Sequence, residues 1–186
     1  MIPKKSSQKY SSIIFYVGLV AMGILIAGVL SEPASLLQKI LFFLGALGLT
    51  VVAHGNKQLM LFVLQIIICL GSILAFLDIG DMVKYAILLG AGIFVIGHVV
   101  MTKKYKKDRW GPICIVGLML IAAGMATNAA TYPLYFGLFL AMGSILVAFY
   151  SFMDYVYNKD KIAIIWLILN LIFAINPILL VISIVK

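Results

Sequence analysis

The chain is predicted to be an all-α polytopic membrane protein with seven transmembrane helices, and three observations predict it. It is 65% hydrophobic and 11% charged, against roughly 45–50% and 25% for soluble domains. Seven apolar stretches fill almost all of its 186 residues, each near the roughly 20 residues that cross about 30 Å of hydrocarbon. No stretch carries Asp, Glu, Lys or Arg near its centre. A β-barrel would alternate with period two, and no such alternation is present. Irregular backbone in lipid would leave N–H and C=O groups unpaired. One transmembrane domain, residues 1–186, is therefore expected.

The spans read in order. Ser12–Leu30 follows a basic start, Lys4, Lys5 and Lys9; its long apolar core and lack of a small-x-small cleavage pattern predict a retained helix. Pro33 punctuates the turn before Ser35–His54. Leu59–Leu77 carries one amide, Gln65, and Met82–Met101 carries Gly90, Gly97 and His98. Gly111–Ala129 holds Gly117 and Gly124, and Pro133–Phe152 is followed closely by Asp154. Ile162–Val185 contains Asn170 and the pair Asn176-Pro177, where loss of an N–H and a clash with the Phe173 carbonyl predict a kink or break.

Charge gives an orientation. With the N-terminus in the cytoplasm, 11 of the 14 basic residues lie inside, spread over four segments of which Thr102–Trp110 is the richest, and the net charge is +8 inside and zero outside. The outside set is Lys39, Lys84 and Lys186 with Glu32, Asp78 and Asp81, the last two read as solvated loop carboxylates. The positive-inside rule then gives N-in, C-out. The total charge of +8 is accounted for by topology, so no nucleic-acid partner is implied. Tyr10, Tyr105, Trp110, Tyr132, Tyr155 and Tyr157 fall near span ends, where amphipathic rings favour the interface. A cytoplasmic-membrane location of a small prokaryotic protein follows as the expectation, with lipid as the obligatory partner and a membrane protein or second copy as a further one.

Small residues set the packing. Gly90 and Gly97, like Gly117 and Gly124, are seven apart and share a helix face, predicting seams within the bundle. A repeat is visible too: Val17-Gly18-Leu19, Pro33 and Gly45 parallel Val116-Gly117-Leu118, Pro133 and Gly143. It divides the chain into two parallel three-helix halves joined by the fourth span, an arrangement that some small-solute transporters use. Each third helix then carries an amide, Gln65 in one half and Asn170 in the other.

Candidate chemistry is sparse. Asn170, Asn176 and Gln65 are the expected substrate-binding residues, since amides and freed carbonyls coordinate a polar solute; the alternative is interhelical glue. His54, His98 and Asp154 form the expected polar cluster at the inner interface. No metal-ligand spacing and no cofactor motif is present, Cys69 and Cys114 read as buried apolar residues, and no catalytic residue is assigned. Ser72, Ser144 and Ser151 read as hydroxyls bonded to the preceding turn of their own helices. Absence of mid-span charge argues against a proton relay or ion-driven pump.

Ile79-Gly80-Asp81, followed by Gly92-Ile93-Phe94 and His98, resembles segments of the YhhN-type lysoplasmalogenases. That resemblance implies hydrolysis of an ether-lipid headgroup linkage, with Asp81 and Asp154 as paired acids. The family has eight spans; here one is missing between His98 and Asp154, which sets the two carboxylates on opposite faces. The rhythm of glycine-rich helix, proline turn and glycine-rich helix over Gly18–Gly48 resembles the HdeD-like small membrane stress proteins, which have six spans and imply no catalytic residues. The expected function is non-enzymatic: a small-solute permease or channel-like protein, or a membrane subunit of a larger complex. An interfacial enzyme acting on lipid is the alternative.

Overall fold

The computed structural model describes residues 4–33, 35–55, 59–101, 109–159 and 161–186. Among them there are seven helices and no strand: α1 (Lys4–Leu30), α2 (Leu36–Gly55), α3 (Leu59–Leu74), α4 (Asp81–Met101), α5 (Gly111–Ala126), α6 (Pro133–Asn158) and α7 (Lys161–Val185). Five of them (α1, α2, α4, α6 and α7) are long and apolar enough to cross a membrane. The basic residues Lys57, Lys103, Lys104, Lys106 and Lys107, with Tyr105, Asp108 and Asp160, lie outside the described residues.

Two elements are shorter than predicted. α3 and α5 have 16 residues each, where the apolar text suggested continuation to Leu77 and Ala129. α5 stops because Thr127 turns to extended backbone (ψ 136°), its N–H bonding back to Ala123 and Gly124. After Leu74 the chain tightens into turns, Phe76 N–H bonding to Ile73 and Leu77 N–H to Leu74. Hydropathy does not register the end of α3, because Ala75, Phe76 and Leu77 past it remain apolar; past α5 the polar pair Thr127-Asn128 marks the stop. α7, by contrast, is not broken at Pro177; there Gly137 of α6 lets the Pro177 carbonyl come within 3.1 Å of where a Cβ would stand.

Helices α1, α2, α3, α5, α6 and α7 pack successively, and α7 returns to α1 through the thinnest of the six interfaces. α4 stands outside this ring, against α3 and α5. Glycine makes the tight approaches. A Cβ at Gly71 would lie 2.5 Å from the Ala122 carbonyl oxygen, closing α3 on α5, and one at Gly143 would lie 2.6 Å from the Gly117 carbonyl oxygen, closing α6 on α5. Gly117 and Gly124 are thus seated in a seam within the bundle, as their spacing predicts. Gly90 and Gly97 meet nothing within 4 Å, so the expected seam on α4 is absent and that face is open.

Polarity is distributed as lipid requires. Leu89, Phe94, Val20 and Leu179 are among the large apolar residues facing outward, whereas Gln38, Gln65, Lys84 and Asn170 are buried. Ser72, Ser144 and Ser151 donate to the carbonyls of Ile68, Leu140 and Val147, each one turn back, as predicted. Aromatic rings gather at both ends: Tyr85, Tyr132, Tyr135 and Phe139 at one, Trp110 with Phe149 and Tyr157 at the other, where Arg109 lies over the Trp110 ring. Tyr135 and Tyr155, near the two ends of α6, are about 30 Å apart along its axis, the thickness of a hydrocarbon core.

Candidate functional site: a vestibule above a central cavity

Because α3 and α5 end early on the same side, they leave a bowl of about 470 Å³ at that end of the bundle, within the range of small-molecule sites. Its polar wall comes from the start of α2 (Gln38, Lys39), the α3–α4 turn (Asp78), the first turn of α4 (Asp81, Lys84) and the α5–α6 turn (Thr127, Asn128, Thr131). Asp81 and Lys84, one helical turn apart, are drawn inward together. Lys84 is only 5% exposed, and a lysine so far from water needs a counter-ion. Its ammonium is 3.2 Å from Asp81 Oδ1, while Asp81 Oδ2 accepts the Asn128 N–H at 3.2 Å. Asn128 Oδ1 in turn accepts the Ala130 N–H (3.1 Å), and the Tyr85 and Thr127 hydroxyls are 2.8 Å apart. The α5–α6 turn is thereby tied to the head of α4. Asp81 is therefore a partly buried, doubly bonded acid at the wall of the bowl and not the fully solvated loop carboxylate expected from the sequence.

Gln38 also escaped the sequence reading. Ser35 caps α2 by accepting the Gln38 N–H (3.1 Å), and the Gln38 side chain donates to the Gly28 carbonyl at the end of α1 (3.2 Å). The serine-x-x-glutamine spacing at a helix start was the available signal. Gln38 and Phe136 line both the bowl and a second pocket of about 230 Å³, which reaches Asn176. Asn176 donates to the Val29 carbonyl (3.2 Å), joining α7 to α1 where the ring is thinnest.

Deeper in, Gln65 of α3 and Asn170 of α7 line one cavity of about 30 Å³ at the middle of the ring. Among the described residues Gln65 Oε1 is the buried side-chain oxygen without a partner. Asn170 donates to the Trp166 carbonyl one turn back (2.8 Å). No ionisable side chain lines this cavity. Met125 faces both bowl and cavity, and Phe42 of the bowl meets Phe173 of the cavity with ring centroids 6.1 Å apart. Ser72 holds Met125 with its hydroxyl 3.5 Å from the sulfur. These three apolar side chains stand between the two spaces.

Gln65 and Asn170 are thus brought together, and Asn176 lies apart from them in the second pocket. His54, His98 and Asp154 share the opposite end of the bundle but ride on α2, α4 and α6, which have no substantial interface with one another. His54 packs on Phe62 at 5.1 Å and is exposed, as is His98. Among the described residues no three His, Cys, Asp or Glu side chains are grouped as metal ligands. Asp81, tied to the turn before α6, and Asp154, near the far end of α6, are at opposite ends of the bundle.

The chain matches no protein-family model, no curated protein and no solved structure. Neither family resemblance gains a match from these comparisons, and what the chain can do has to be argued from its own geometry.

Proposed function

We propose that the chain is a permease for small polar solutes, crossing the cytoplasmic membrane seven times with its N-terminus inside and its C-terminus outside. One observation carries the reading: two amides from the third helices of two three-helix groups meet in one central cavity, beneath a polar vestibule and behind an apolar constriction. Supporting it, the packing order α1–α2–α3–α5–α6–α7 maps onto itself when the first three and last three helices exchange, leaving α4 as the linker. Gly45 on Ala21 and Gly143 on Ile121, matched in the repeat, both serve the contact between first and second helices of their group. In this reading the vestibule faces outside, since the described basic residues Lys9, Arg109, Lys159 and Lys161 lie at the other end.

The competing reading, a membrane subunit of a larger complex, is favoured by the open glycine face of α4. Thiol accessibility separates the two. In a Cys69→Ala/Cys114→Ala background, Asp78→Cys reports the vestibule and Asn170→Cys the central cavity. For a permease, an impermeant thiol reagent applied outside modifies position 78 rapidly and position 170 more slowly, as the constriction opens. Modification at 78 with complete protection at 170 would mean a dry centre, and the subunit reading would replace this one.

A further inference from the structure

We infer that the solute admitted at the central cavity is uncharged, has only a few heavy atoms and donates hydrogen bonds, as water, urea and short polyols do; this rests on the permease reading above. Gln65 is 1% exposed and its Oε1 has no donor among the described residues. A buried acceptor left unpaired is unfavourable, so an N–H or O–H brought to it gains a bond that the surrounding helices do not supply. The neighbouring Asn170 spends one of its two N–H groups on the Trp166 carbonyl, a bond in which its own carbonyl oxygen takes no part. The cavity therefore offers acceptors, the unpaired Gln65 oxygen first among them, beside amide N–H donors.

Charge and size narrow the class. With Leu49, Ile121, Trp166 and Phe173 making up much of the wall and no ionisable group in it, an ion entering would lose its hydration without gaining a counter-charge. A volume of about 30 Å³ is close to the space of one water molecule in the liquid, so larger solutes have to widen it. Upstream, Lys84 is already neutralised by Asp81, and Lys39 and Asp78 add one charge of each sign. The vestibule therefore gathers neither anions nor cations selectively.

The test uses the full chain in phosphatidylcholine vesicles, followed by stopped-flow light scattering. Vesicles are challenged in turn with gradients of sucrose, glycerol, urea, glycine and sodium chloride. We expect shrinkage by water loss, or re-swelling in glycerol or urea, to be at least fivefold faster than in protein-free vesicles. Re-swelling in glycine and sodium chloride should stay at the protein-free rate. Gln65→Leu should return the neutral flux to background; if that variant does not fold, Gln65→Met, closer in length, serves in its place. Acceleration of glycine or sodium chloride to the level of the neutral solutes would overturn the inference and leave the permease reading standing, as would neutral flux unchanged by the substitution. No acceleration of any solute would remove the permease reading itself.

Discussion

At the scale of single residues, the decisive side chains are polar ones that the fold has taken out of water. Lys84 and Asp81 are the clearest case, with side-chain exposures of 6% and 11%. Breaking a buried pair from one side strands a charge, whereas replacing both members by uncharged groups is far better tolerated. Asp81→Asn is therefore expected to destabilise the protein by about 1–2 kcal/mol, between the values for exposed and fully buried pairs, and Asp81→Asn combined with Lys84→Met to recover most of that loss. Thermal unfolding of both single variants and the double variant in detergent, read as a double-mutant cycle, checks it; a double-variant loss equal to the sum of the two single losses would show that the pair is not coupled. Their spacing was legible, since residues three apart share a helix face, but their burial was not. It depends on α3 and α5 stopping short, which a local reading of charge does not see. Gln65 and Asn170 were legible for a simpler reason: each is an isolated amide in apolar text, and a polar group inside a span has to face protein.

At the scale of helices, glycine position decides which surfaces are committed. The sequence presents Gly90 with Gly97 and Gly117 with Gly124 as equivalent seven-residue spacings, yet only the second pair is packed. What distinguishes them is the identity of the neighbouring helix, and periodicity carries no information about that. The contrast can be measured. Gly71→Ala drives a methyl into the Ala122 backbone, where neither helix has a flexible side chain to yield, and should cost about 1–3 kcal/mol by overpacking. Gly90→Ala meets open space and should be neutral or stabilising by up to about 1 kcal/mol, because alanine is the better helix former. Melting temperatures of the two variants in one detergent test this directly. A loss at Gly90 as large as that at Gly71 would mean that the α4 face is occupied in the membrane, which is what the subunit reading requires.

At the scale of the whole molecule, the question is how two 16-residue helices belong to a bundle whose other five helices are long and apolar enough to cross a membrane. At 1.5 Å per residue each is about 24 Å long, some 6 Å short of a typical hydrocarbon core. Neither needs to meet lipid along its full length, because α3 and α5 pack between other helices and against each other. Their missing turns are replaced by the vestibule, and non-helical backbone at membrane depth is tolerated where it lines a water-filled cavity. The vestibule also gathers the start of α2, the α3–α4 turn and the α5–α6 turn at one end, so the chain reverses direction at every connection between them. If the bundle stands in the bilayer as the aromatic rings at its two ends suggest, Glu32→Cys, Asp78→Cys and Thr131→Cys should all be labelled from one side of the membrane by an impermeant reagent, and His54→Cys from the other. Were α3 and α5 to dip in and return instead, Asp78→Cys would be labelled from the same side as His54→Cys. Labelling of right-side-out and inverted vesicles distinguishes these patterns, and the first requires α2 and α3 both to cross, with the vestibule open to a single compartment.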